Sequence, residues 1–149
     1  AISMYLADKH PESNLSPALD DPQRWEYLQW MTYLTNTLQE TMLLKRYSSG
    51  YTTDTDTSAV SDSAATRLTQ ILHVLDAGLQ KHVGPFFLGD NLSTVDIYLN
   101  MVLGWDPDIG AGASETKDWP NVRKNYDALF SRKDVAKILL ENDFPGPVS

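Results

Sequence analysis

Cysteine is absent from this 149-residue chain, so it holds no disulfide, no thiolate-bearing metal site and no thiol nucleophile of its own. Long hydrophobic runs are missing as well. No apolar stretch approaches the roughly 18 residues that a membrane-spanning helix needs. Basic residues are scarce: 12 Lys and Arg stand against 20 Asp and Glu, and the formal net charge is −8. Because those cations are scattered, no basic face is expected for nucleic acid or for an anionic lipid surface. There is no GxGxxG and no Walker sequence to cradle a phosphate. The opening AISMYLADKH carries neither an initiating Met nor a charged-then-apolar leader, and it reads like a chain cut inside a helix. Neither an alternating strand pattern of useful length nor an internal repeat is found.

What is present is helical periodicity. Ile2, Tyr5 and Leu6 have the spacing of a short amphipathic helix, followed by the proline-rich connector HPESNLSPALDDP. Asp21-Pro22 then reads as an N-cap with Pro at the first helical position. From there Trp25, Leu28, Met31, Leu34, Leu38 and Met42 step at threes and fours and predict a long amphipathic helix to about Arg46. Residues 48–66 hold ten Ser or Thr among nineteen and predict a solvated loop, or a loop that includes the first turn of the next helix. Leu68, Ile71, Leu72, Leu75 and Leu79 form the cleanest stripe, with Thr69, His73, Asp76 and Gln80 on the opposite face.

Beyond Gly84-Pro85 stands FFLGDNLSTVDIYL, residues 86–99. Ser93 as N-cap places Asp96 at N3, a capping box, and sets Leu92 opposite Ile97 as a hydrophobic staple. The helix behind it is apolar nearly all round and predicts a central, buried position. A nucleophilic Ser93 would need a base and oxyanion donors, and no His lies within ten residues. Ser131 and Asp134 repeat the pattern and are expected to form a second box, with Phe130 and Val135 as its staple. Between them lie a glycine-rich loop, DPDIGAGASETKD, and a helix begun at Pro120, capped by Asp118 or Trp119. A last short helix precedes Pro145 and Pro147. The prediction is all-α: a bundle of about five helices plus a stub, with residues 1–20 set apart from a helical domain over 21–149.

Candidates for other chemistry are sparse. His10, His73 and His82 lack metal-ligand spacing, and no metal is expected. Asp106, Asp108 and Gly110 suggest a calcium loop only faintly, since the ligand ladder stops after two acids. The tryptophans and tyrosines at helical spacing serve core or interface, and some could line a pocket for an aromatic ligand.

FFLGDNLSTVDIYL resembles the signature that starts the central helix of the glutathione S-transferase C-terminal domain. RWEYLQWMTYLTNTLQ resembles the first long helix of that domain, DWPNVRKNYDALFSRKDVAKILLE its closing helices, and AISMYLADKHPESNLSP the last helix of the thioredoxin-like N-terminal domain with the interdomain linker. The resemblance implies a fold, the glutathione S-transferase C-terminal bundle, and an activity, conjugation of glutathione to small hydrophobic electrophiles. Glutathione would be the co-substrate, held mainly by an N-terminal domain that also carries the thiol-activating residue, so no catalytic residue is expected in this chain. By position, Thr32, Tyr33, Thr37 and Gln39 of the long helix, with Trp105, are implied to line the second-substrate pocket. Gln39-Glu40 stands where bacterial relatives often carry His-Lys. A homodimer is implied, with the long helix and the Leu68–Leu79 helix as its surface, and a cytoplasmic detoxification role agrees with the lack of cysteine. The other reading is a non-catalytic protein-association module of the same fold.

Overall fold

The computed structural model describes residues 1–106 and 118–142. The glycine-rich loop, apart from its two ends, and Pro145 and Pro147 lie outside that range. Among the described residues the molecule is helical, without a strand: α1 Ile2–Lys9, α2 Arg24–Tyr33, α3 Gln39–Arg46, α4 Ser58–Leu79, α5 Thr94–Leu103, α6 Pro120–Phe130 and α7 Lys133–Glu141. A π-turn, Leu34–Leu38, joins α2 to α3, so the two run on as the single long helix that the periodicity predicts. Taken together these are five helices and the α1 stub.

The start of the long helix differs from the expected one. α2 begins at Arg24 with Gln23 at its N-cap and no side-chain cap, and Asp21 instead closes the turn before it, accepting the Gln23 amide on its carboxylate at 2.7 Å and the Arg24 amide on its carbonyl at 2.9 Å. The inward face differs from the predicted one. Tyr27, Trp30, Met31, Leu34, Leu38 and Met42 are buried, whereas Trp25 is 65% exposed and Leu28 lies near the surface. Successive steps of three residues each fall about 60° short of a turn. The series 25-28-31-34 therefore drifts around the helix, and Tyr27 takes the place expected of Trp25. The polar tract also behaves differently from a plain loop, because α4 already begins at Ser58. Asp56 accepts the Ser58 amide at 2.9 Å, and Ala64 and Leu68 are buried one after the other along the same face. The predicted stripe of α4 is buried throughout, from Leu68 to Leu79.

The turn before α5 is tight. Phe86 and Gly89 exchange backbone hydrogen bonds at 3.0 Å, and Phe86, Phe87 and Leu88 are buried. Gly84 has φ +126°, and a Cβ there would stand 2.4 Å from the Gly89 carbonyl, so only glycine fits. The capping box follows: Ser93 Oγ accepts the Val95 amide at 3.3 Å, and Asp96 Oδ2 accepts the Ser93 amide at 2.9 Å. Asp96 does more than close the box. Its Oδ2 also takes the Ser93 hydroxyl at 2.9 Å, while Oδ1 takes the Phe87 amide at 3.0 Å and the Asn125 side-chain amide at 2.8 Å. Burial pushes this carboxyl up, against the pull of its donors. Asn125 further donates to the Pro85 carbonyl at 3.0 Å, and Asn100 donates to Asn125 Oδ1 at 2.7 Å. One buried carboxylate thus ties the turn, α5 and α6 together.

α5 is central but not enclosed on every side. Val95, Leu99, Val102 and Leu103 are buried, while Ile97 and Met101 are 40% and 43% exposed. The second expected box does not form. Ser131 stands at the C-cap of α6, its hydroxyl donating back to the Ala128 carbonyl at 3.0 Å, and Asp134 pairs with Arg132 at 2.8 Å. With α6 ending at Phe130 and α7 starting at Lys133, Ser131 stands one residue too early to cap α7.

Candidate functional site

The run predicted to line a pocket, Thr32 to Gln39, straddles the π-turn. Gln39 donates its backbone amide to the Leu34 carbonyl, an i→i+5 bond that widens the helix by one residue. Single π-turns of this kind are frequent at functional sites. The local cause lies in the sequence Thr-Asn-Thr. Thr35 Oγ1 donates to the Met31 and Thr32 carbonyls, both at 3.0 Å, and so competes with the regular ladder.

The extra residue parts the five candidates. Gln39 faces α5, where its Oε1 accepts the Tyr98 hydroxyl. Trp105 lies just past α5, partly buried against the core, and its carbonyl accepts Arg46 of α3 at 3.1 Å. Lys45 closes the end of the α3–α5 seam on Asp106 at 2.5 Å. Tyr33 turns the other way, edge-on to Trp30 with ring centroids 5.9 Å apart. Burial raises its phenol, partly offset by Arg67 of α4. Thr32 is exposed, with its hydroxyl returned to the Leu28 carbonyl at 2.9 Å. Thr37 is half-buried, and its carbonyl takes the Thr41 hydroxyl at 2.8 Å.

Tyr98 is the residue that spacing did not reveal. It is half-buried, and burial pushes its phenol up, so it stays protonated at neutral pH and can donate. A polar-tipped aromatic in an otherwise aliphatic helix was the available signal. Its apolar neighbours Ile97 and Met101 are open. Gln39 and Tyr98 thus set an amide against a phenol between α3 and α5, with Ile97 and Met101 exposed beside Tyr98. Such a wall can hold an apolar molecule and orient it by one or two hydrogen bonds. It has no nucleophile paired with a base. Among the described residues no three His, Asp or Glu side chains are grouped to hold a metal ion, and no helix is long and apolar enough to cross a membrane. A separate polar cleft of about 340 Å³ lies between the connector and the capping turn, lined by residues including Asn14, Ser16, Asp21, Asn91 and Ser93.

Comparison with solved structures finds the same arrangement of helices. A glutathione transferase from Methylococcus capsulatus str. Bath superposes with a TM-score of 0.78 at 24% identity, over 97% of this chain and 66% of that one. A sphingomonad glutathione S-transferase complexed with glutathione gives 0.75 at 23% identity, over 97% and 66%. A glutathione transferase homologue from Sulfitobacter, with bound glutathione, gives 0.78 at 20%, over 93% and 64%. At these identities the likeness shows the fold, and the chain spans just under two thirds of the length of each relative. No curated protein matches the sequence. The family model for the glutathione S-transferase C-terminal domain matches residues 36–133, well over half of the chain. The chain belongs to the glutathione S-transferase C-terminal domain family.

Proposed function

We propose that this chain is the helical part of a glutathione transferase, residues 1–20 being the last helix of a thioredoxin-like domain and the linker, and 21–149 the C-terminal domain. The observation that carries this reading is the orientation of α1. Its inner face is Ala7 and the partly buried Met4, while Ile2, Tyr5 and Leu6 are 78%, 61% and 49% exposed. A helix that turns its small side to its own domain and its large apolar side outward is built to be covered from outside. A thioredoxin-like sheet is the element that would cover it in this family.

In this reading glutathione is held and its thiol activated by the preceding domain. The thiolate attacks a small hydrophobic electrophile lodged against the α3–α5 seam, with Gln39, Tyr98 and Trp105 as its wall. Thr37 flanks that wall. Tyr33 and exposed Thr32 stand further from it and contribute less than the sequence position implies. The protein acts as a homodimer, α2 and α4 forming the contact, in cytoplasmic detoxification. No metal takes part.

The test is isothermal titration of glutathione into this chain and into the full-length protein, with conjugation assayed on a panel of aromatic electrophiles. Binding and turnover are expected only in the full-length protein. Micromolar binding to the 149-residue chain alone would overturn the division of labour. A full-length protein that neither binds glutathione nor conjugates would leave the association module as the better reading.

A further inference from the structure

The contact between α1 and the helical body is polar and unusually well specified. Arg24 donates from Nη1 to Asp8 Oδ1 and from Nη2 to Asp8 Oδ2, both at 2.7 Å, and Nη1 reaches the Pro17 carbonyl at 2.9 Å. The guanidinium lies 5.1 Å from the Tyr27 ring centre, and the Arg24 side chain is only 12% exposed. Ser16 adds a hydroxyl to Asp8 Oδ1 at 2.9 Å. Tyr27 is fully buried, and its hydroxyl meets Thr94 Oγ1 at 2.6 Å, while the Thr94 amide donates to the Leu15 carbonyl at 2.9 Å. The contacts form a closed circuit through α1, the connector, α2 and the first turn of α5.

By contrast, the apolar anchorage of α1 is thin, since Ala7 is its one buried residue. A small apolar footprint holds a helix without fixing its angle. A planar guanidinium bonded through two nitrogens to both oxygens of one carboxylate does fix it, which a lysine at the same place would not.

We propose that the Arg24–Asp8 fork sets the angle of α1 and, through it, the registration of the glutathione-binding domain against the α3–α5 seam. Arg24 is then a positioning residue for the conjugation reaction although it touches neither reactant. The inference rests on the reading that α1 is the last helix of a glutathione-binding domain, the rest of which packs on it. The reason it matters is geometric: attack requires the thiolate and the electrophile at near-contact distance, and a displacement of about 1 Å can lower the rate about a hundredfold.

Two measurements test it. In this chain, hydrogen exchange at the Tyr5 and His10 amides, which bond to the Ala1 and Leu6 carbonyls, is compared between wild type and Arg24→Lys. The fork is lost while the charge stays, and exchange at both is expected to rise about tenfold, with the α4 amides unchanged. Equal exchange would overturn the proposal. In the full-length protein Arg24→Lys is expected to lower kcat about tenfold with glutathione affinity unchanged, and Asp8→Asn to act likewise should the lysine variant fold poorly. A wild type that conjugates, with both variants keeping its kcat, sinks the positioning role. A wild type that does not conjugate sinks the functional reading instead, and the exchange data still report on the fork.

Discussion

Asp76 and Asn121 lie 45 positions apart, yet the Asp76 carboxylate accepts the Asn121 backbone amide at 2.7 Å and its side-chain amide at 2.8 Å. The Val122 amide joins the same Oδ1 at 3.1 Å. α6 begins at Pro120 with Trp119 at its N-cap, one of the two expected positions, but without a side-chain cap of its own. The cap comes from the last turn of α4, from a residue on what had looked like its solvent face. Asp76→Ala is expected to cost about 1–2 kcal/mol, the range for losing a helix cap. Urea unfolding should show a lower midpoint with an unchanged slope, and an unchanged midpoint would refute the cap.

Ser93 and Asp96 belong to one box but are not equivalent. Ser93→Ala removes a cap oxygen and should cost about 1 kcal/mol. Asp96→Ala strands the Phe87 and Ser93 amides and one donor of Asn125 in the interior. A loss of about 3–5 kcal/mol follows, as for a broken buried network. Equilibrium unfolding of the two variants side by side would decide; equal losses would mean that Asp96 serves the box alone.

Gly78 sits inside α4, where intrinsic propensity favours alanine over glycine by about 1 kcal/mol. A Cβ there would stand 2.4 Å from Cη2 and Cζ2 of Trp30 and 3.3 Å from Phe87. Gly78→Ala is therefore expected to destabilise by about 1–3 kcal/mol, the cost of overpacking. The indole must move, so thermal melts should be read alongside near-ultraviolet dichroism; a raised melting temperature would contradict the packing.

Acid stability should carry the signature of Asp8. The Arg24 guanidinium beside it holds its carboxyl below the usual range, and the Ser16 hydroxyl adds to this. A carboxyl lowered in the folded state contributes stability above its unfolded pKa of about 3.9, and that contribution fades as pH falls through the folded value. The side chain is 37% exposed, so solvent screens part of the effect. Denaturant midpoints from neutral pH to about pH 2.5 should separate wild type from Asp8→Asn near neutrality and converge in acid. Asp96 works in the opposite sense, because its raised carboxyl takes up a proton more readily folded than unfolded. Parallel curves for wild type and Asp8→Asn would exclude the ion pair as a source of stability.

The sequence by itself determined the helices that have a local cause: the α4 stripe from Leu68 to Leu79 and the Ser93–Asp96 start of α5. Each depends on residues within about one or two turns of one another, where spacing decides direction. The family resemblance rode on that same start. Only the tertiary structure decided which face of α2 points inward, because Trp25 and Trp30 are equally apolar and the drift of threes had to be resolved by packing on α4 and α5. It also decided the π-turn that separates Gln39 from Tyr33, the partnership of Gln39 with Tyr98, and the role of Ser131 at the end of α6 instead of the start of α7. The same holds for Asp76 and Arg24, whose partners lie on other helices. A charged side chain with a distant partner leaves no periodic trace in a sequence, and hydrogen-bond geometry between helices exists only once the chain has folded.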